Sequence, residues 1–167
     1  MEFNLADLFE CVVDTVPGQT ALVAGSRRLT FSELEARANQ LAHVLAGAGV
    51  RAGDRVGLQL VNGTEYIEGM LGCFKIRAVP VNVNYRYVAS ELRHLYDDAS
   101  LVALVFHRRF GPTVAEAVPA LRSPHLLLEV ADDTPPPGFG DDYEAALAGQ
   151  GDGRDFPARS ADDEYCV

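Results

Sequence analysis

Three arginines supply the part of this sequence most able to do chemistry. Arg86 lies in "NVNYRY" (82–87), and Arg108 and Arg109 lie in "HRRF" (107–110). Each loop follows an apolar, strand-like run and so falls at the carboxyl end of a strand, where open α/β sheets bind ligands. Guanidinium groups gathered there can converge on an anionic group such as a phosphate. The same arginines can instead cap helices or pair with nearby acids, and spacing by itself favours that plainer role.

The other reactive residues form no constellation. His43, His94, His107 and His125 share no ligand spacing with one another or with Cys11, Cys73 and Cys166, so no metal site is expected. The acid pairs Asp97-Asp98, Asp132-Asp133, Asp141-Asp142 and Asp162-Asp163 read as caps and solvated turns, because adjacent side chains point apart. No serine, cysteine or threonine sits in a nucleophile elbow, and no glycine loop ends in Lys-Ser/Thr. "GAGVRAG" (47–53) imitates a dinucleotide fingerprint, but it follows a helix and Ala52 stands where the third glycine belongs. A helix C-cap followed by a turn accounts for it. The residues by themselves assign no catalytic group.

Composition narrows the class further. With 167 residues, 48% hydrophobic and 23% charged, the chain has the make-up of an ordinary globular domain. Its charge of −10 is uneven: residues 1–129 hold 12 basic and 14 acidic side chains, whereas 130–167 hold 2 and 10. A general nucleic-acid-binding face is therefore not expected, and the acidic stretch reads as a solvated loop. Three scattered cysteines suit a reducing compartment. The N-terminus is acidic and has no basic signal-peptide start, and Glu68, Lys75 and Arg77 break the most apolar stretch, Ile67 to Val83. A cytoplasmic location without a transmembrane segment is expected.

The elements that must position the arginines follow from periodicity. "LADLFECVVDTV" (5–16) places Leu5, Leu8, Phe9, Val12, Val13 and Val16 on one helical face, and Pro17-Gly18 ends it. "TALVAGSRRLTF" reads as two strands around Gly25-Ser26. Ser32 with Glu35 predicts a capping box for a helix whose stripe is Leu34, Ala38, Leu41 and Leu45. Strands are then predicted at Val56–Leu60, 79–83, 101–106 and 125–130, with helices at 64–76, 89–98 and 111–121 between them. Gly69 and Gly72 allow close backbone approach in the first of these helices, 64–76, which is expected to be buried. This alternation predicts an α/β fold: a doubly wound, mostly parallel sheet with flanking helices over 1–130. Residues 131–167 read as an acidic linker stiffened by three prolines, a short helix at 142–148, a flexible Gly149–Gly153 connection and the start of a further strand.

The order of motifs resembles the N-terminal part of the adenylate-forming enzymes, specifically AMP-dependent acyl-CoA synthetases. That family's pattern is met by Thr30, Phe31, Glu33 and Leu34, by Gly49, Gly53, Asp54 and Val56, and by Asn62 and Glu65. It continues in Ala78, Val79, Val81 and Asn82, and in Glu91 and Leu92. Arg77 departs from it, standing where relatives often carry glycine. "VNVNYRYV" is most similar to the actinobacterial branch that handles fatty acids or steroid side chains.

The resemblance implies a piece of the large N-terminal domain of an enzyme that couples a carboxylic acid to CoA through an acyl-adenylate, using ATP, Mg²⁺ and CoA. It also implies that the loop around Tyr85 and Arg86 lies against the pantetheine and that Arg108 and Arg109 approach the CoA nucleotide phosphate. In relatives the residues after "ADDEYCV" (161–167) open the loop that wraps the ATP phosphates. On that basis the chain is expected to be inactive alone and to bind none of these cofactors tightly. Its apolar surfaces would be covered by a remainder of the enzyme or by a second copy. The alternative is a stand-alone binding or scaffold module derived from the same fold.

Overall fold

The computed structural model describes residues 4–121, 124, 126–161 and 163. Expectations that concern His125, Asp162 and residues 164–167 lie outside the described residues.

Helix α1 (Leu5–Thr15) starts at Asn4, whose side chain accepts from the Ala6 N–H while Asp7 reaches back to the Asn4 N–H. The antiparallel hairpin β1 (Thr20–Ala24) and β2 (Arg27–Thr30) turns at Gly25, whose φ of 59° needs no Cβ. Helix α2 (Phe31–Gly47) follows without a linker. Its capping box is Thr30 with Glu33, two residues earlier than the expected Ser32 with Glu35. The reason is steric economy in the chain: Thr30 is the last extended residue of β2 and so becomes the N-cap, which leaves Glu35 in the second turn, facing inward.

Five strands then build one parallel sheet in the order β4-β3-β5-β6-β7. They are β3 (Arg55–Gln59), β4 (Val79–Asn82), β5 (Leu101–His107), β6 (Leu126–Val130) and β7 (Asp141–Asp142). Helices α2, α3 (Thr64–Lys75) and α6 (Tyr143–Ala148) cover one face with Leu41, Leu45, Cys73, Tyr143 and Leu147. Helices α4 (Ala89–Asp98) and α5 (Gly111–Ala117) cover the other with Leu92, Tyr96, Val114 and Ala117. The central strand β5 divides its apolar run between them, Ala103 and Val105 to the first face, Leu104 and Phe106 to the second. That is the doubly wound α/β arrangement, with burial on both faces explaining the unbroken apolar run.

Helix α3 is buried as expected, and its glycines explain how. A Cβ on Gly69 would stand 2.8 Å from Leu58 Cδ2, and one on Gly72 would stand 3.2 Å from Leu41 Cδ2. Its last turn closes with Ala78 N–H donating to the Cys73 carbonyl and Arg77 N–H to that of Phe74, a Schellman motif. Arg77 occupies the left-handed position at φ 63°, a conformation that glycine adopts at less cost. Its guanidinium holds Asp163 at 2.8 Å.

Several local expectations change. The 111–121 helix is α-helical to Ala117 and then tightens into a 3-10 turn, Val118–Ala120, because Pro119 withholds an N–H. The acidic segment after Val130 is not merely a loop: β7 pairs with β6, and Phe139 stacks on Phe106 at 5.5 Å. Residues 149–153 lie tied along α2, with Asn39 Nδ2 donating to the Asp152 carbonyl at 2.6 Å. On α1, Leu5, Leu8 and Val12 point outward (43, 46 and 42% exposed), and only Ala6 and Val13 are buried. No helix among the described residues is long and apolar enough to cross a membrane.

Candidate functional site

Strand order reverses between β3 and β5. The chain leaves β3 for β4 on one side, then returns past it to β5 on the other. At such a reversal, helices leave to opposite faces and the carboxyl ends of the strands open a crevice that accepts ligands. Three loops meet at this end: 60–63 after β3, 83–88 after β4, and the 3-10 turn Arg108–Phe110 after β5.

Aromatic stacking joins the two loops singled out by their arginines. The Tyr85 ring stacks on Phe110 at 5.6 Å with an 18° interplanar angle, and Phe110 meets His107 edge-on at 6.3 Å. The Arg86 guanidinium lies over the Tyr85 ring, 5.7 Å from its centroid. Beside it opens a cavity of about 430 Å³ lined by Asn62, Tyr66, Asn82, Asn84, Tyr85 and Tyr87. Tyr85 is 40% exposed there. A larger groove of about 640 Å³ runs from Asn82 along α4, past His94 and Asp98.

The three guanidinium groups have separate partners. Arg108 lies 2.8 Å from Asp142 and 3.0 Å from Glu129. Arg109 Nε donates to Asp132 at 2.8 Å, and its backbone N–H donates to the same oxygen at 3.1 Å. Burial pushes the Asp132 carboxyl up, but hydrogen bonds from Thr134 and Arg109 outweigh it and hold the group well below the usual carboxylate range. The pairing carboxylates come from β6, β7 and the loop between them. From sequence 125–130 reads as a strand and the stretch after it as a solvated linker, so nothing local signals that these carboxylates close back on the arginines. Arg86 has no ion pair among the described residues.

A neighbouring cavity of about 330 Å³ lies at the N-terminus of α3, with Arg27, Asn62, Thr64, Glu65 and His107 in its wall. Burial pushes the Glu65 carboxyl up, yet its own backbone N–H, the Thr64 hydroxyl and Arg27 together hold it below its ordinary value. Arg27 NH1 stands 2.7 Å from it. The helix N-terminus is thus filled by a side chain of its own first turn, which is the physical use of the Asn62-x-x-Glu65 spacing.

His107 is the titratable group of the crevice. It is 7% exposed, and its Nδ1 accepts from the Val61 N–H at 3.3 Å, which requires an unprotonated nitrogen. Burial lowers its pKa below the ordinary 6.5; Glu65 and Asp132 oppose that shift and do not overcome it, and Arg109 adds to it. Below 6.5 the unfolded chain binds the proton first, so stability that is present above 6.5 is lost as pH falls toward the folded-state pKa. The expected slope from this group is at most about 1.4 kcal/mol per pH unit. Urea midpoints between pH 7 and 5 should fall more steeply for the parent chain than for His107→Asn, whose Oδ1 can take the Val61 N–H without titrating. Equal slopes would remove His107 as the cause.

Comparison with known proteins agrees with this geometry. A family model described as "AMP-binding enzyme" matches residues 9–165. A 3-oxocholest-4-en-26-oate–CoA ligase of Rhodococcus rhodochrous is 44% identical over the whole chain, which spans 31% of that protein. A medium/long-chain-fatty-acid–CoA/3-oxocholest-4-en-26-oate–CoA ligase of Mycolicibacterium smegmatis is 41% identical over the whole chain, again 31% of its length. The solved N-terminal domain of FACL13 from Mycobacterium tuberculosis superimposes with a TM-score of 0.83 over all of this chain and 40% of that one; at 23% identity it speaks for the fold. The chain therefore spans about a third of the curated relatives it matches. Because the family model takes in the hairpin, all five strands and both helical faces, the chain belongs to the AMP-binding enzyme family.

Proposed function

We propose that this chain is the N-terminal portion of an acid–CoA ligase that forms an acyl-adenylate from ATP and a carboxylic acid, then transfers the acyl group to CoA. The observation that carries this reading is the 44% identity, along the whole chain, to a ligase of a steroid side-chain acid. A second relative is named for both that acid and medium- or long-chain fatty acids, so the substrate class is a carboxylate on a large apolar body. The protein is read as cytoplasmic and without a nucleic-acid partner. Any second copy would sit on the exposed Leu5, Leu8 and Val12 face of α1.

Of the four residues assigned to a cofactor, Tyr85 and Arg86 fit a CoA contact. Tyr85 lines an open cavity, and its neighbour Arg86 stacks on the Tyr85 ring rather than on a carboxylate. Arg108 and Arg109 fit it poorly, since Glu129, Asp142 and Asp132 already neutralise them. The described residues offer no comparable set for ATP or Mg²⁺, whose task in adenylation is to neutralise charge on the phosphoryl oxygens.

Two measurements test the reading. The purified 167-residue chain should show no acid-dependent ATP–pyrophosphate exchange, whereas the product of the whole reading frame should show it with 3-oxo steroid or long-chain fatty acids. Exchange by the short chain, or none by the long one, overturns the division. In the whole enzyme Arg86→Ala should raise the KM for CoA about fivefold, the loss of one exposed cationic contact, while Arg109→Ala leaves it within about twofold. The reverse order would return the CoA contact to Arg109.

A further inference from the structure

Helix α1 is seated the wrong way round for its apolar pattern. Leu5, Leu8 and Val12 face out, while Asn4, Asp7, Glu10 and Asp14 make the contacts that hold it. Most of those contacts are to the described residues between 150 and 163 (150–161 and 163), a strap with no helix or strand among them that crosses α1, α2 and α3. Arg159 forks onto Asp7 and Glu10, both at 2.7 Å. Arg154 bridges Asp14 at 2.9 Å and Glu35 of α2 at 2.8 Å. Asn4 Nδ2 donates to the Ser160 carbonyl at 3.2 Å and to Asp163 at 2.9 Å, and Asp163 in turn holds Arg77.

Lys75 lies at the centre. It is fully buried at the end of α3, with its ammonium 2.7 Å from Glu10 and 2.8 Å from Glu35. Phe156 of the strap lies over it, 6.0 Å from ring centroid to Nζ, and packs against His43 at 4.6 Å with the rings tilted by 31°. The first residues of the strap are tied to α2 through their carbonyls, Gln150, Asp152 and Gly153 accepting from Gln40, Asn39 and His43; further along, among its described residues, the Ser160 carbonyl accepts from Asn4 and from the Asp163 N–H. From Arg154 onward the strap is held by side chains, several of them shared with α1. The helix lacks an apolar seat beyond Ala6, Val13 and the Phe9–Phe31 contact, and the strap lacks a backbone ladder.

We propose that α1 and the strap form one latch, which opens and closes as a unit while the parallel sheet stays folded. Side chains shared between the two elements give each its position, so loosening either one loosens the other. The latch is a conformational device built from charge rather than from apolar burial, and Arg159 is its principal clasp.

The test reads each half while changing the other, in the 167-residue chain. Arg159→Gln should speed amide hydrogen exchange in residues 9–15 about tenfold, as expected for losing charge-assisted hydrogen bonds, with β3, β5 and β6 unchanged. Conversely Ala6→Gly, which removes none of the side chains that bond the strap, should speed tryptic cleavage after Arg159 about fivefold, the ratio of a glycine-for-alanine exchange in a helix. Arg159→Lys, which keeps the charge but not the fork, should give an intermediate α1 exchange rate and serves if Arg159→Gln does not fold. The latch is overturned if the Arg159 variants leave α1 exchange unchanged, if α1 and β5 accelerate by the same factor, or if Ala6→Gly leaves cleavage after Arg159 unaltered.

Discussion

Glu68→Ala is expected to cost about 3–5 kcal/mol of stability, the usual result of removing one partner from a buried ion pair. Glu68 is fully buried on α3 and accepts from Arg37 Nε at 2.7 Å and NH2 at 3.0 Å. The Tyr143 hydroxyl donates to it at 2.7 Å, and Arg27 of the hairpin stands 3.9 Å away. One carboxylate therefore ties α2, α3, α6 and the β1–β2 hairpin together. Alanine would leave the Tyr143 hydroxyl buried without an acceptor and Arg37 with Glu144 alone. Burial and the facing Glu68 carboxylate push the Tyr143 pKa well above its ordinary value, so the phenol remains a donor at neutral pH.

In a domain of this size such a loss lowers Tm by about 6–20 °C. Glu68→Gln, which keeps the shape and the Tyr143 bond, should lose only about 1.5–3 kcal/mol. Urea unfolding at pH 7 distinguishes the two. A Glu68→Ala chain within 1 kcal/mol of the parent would show that the helical layer does not depend on this group.

Gly57→Val is the second large effect, about 3 kcal/mol, at the upper end of what overpacking costs. Gly57 sits mid-strand in β3, where a Cβ would stand 2.8 Å from both Leu101 Cδ1 and Leu104 Cδ1 and 3.3 Å from Val83 Cγ2. Those three side chains are at most 1% exposed, so none can swing into solvent to make room. Gly57→Ala should cost less, about 1–3 kcal/mol. If crowding is the cause, Leu104→Ala must partly rescue the valine. The double variant should then lie at least about 1 kcal/mol above the sum of the single losses. Strict additivity would mean that Gly57 is needed for some other reason.

Both positions show how far local reading of the sequence reaches. Gly69 and Gly72 announce a close approach because they recur on one face of an amphipathic helix. Gly57 stands alone in a strand, and the leucines that crowd it come from β5, more than forty residues away. Glu68 reads from sequence only as a charge that interrupts an apolar stretch; its partners arrive from α2 and α6. The capping box of α2 shows the same limit at short range. Ser32 with Glu35 and Thr30 with Glu33 both satisfy the pattern, and only the pairing of Thr20 with Thr30 in the hairpin decides between them.

The candidate site divides in the same manner. The position of the loops at the carboxyl ends of strands is legible, since strand, turn and helix signals are local and their alternation dictates a parallel sheet. The stacking of Tyr85 on Phe110 and the neutralisation of Arg108 and Arg109 are not, because each depends on which segments fold over one another.

What the sequence determined by itself is the order of elements, the doubly wound class and the family, all of which rest on periodicity, turn residues and motif order along the chain. What only the tertiary structure decided is which charges meet. Arg108 finds Asp142 across 34 residues, Glu68 finds Tyr143 across 75, and Arg159 finds Asp7 across 152. The physical reason is that a side chain's partner is set by distance in space. No spacing rule acts over such separations until the sheet has brought the two segments together.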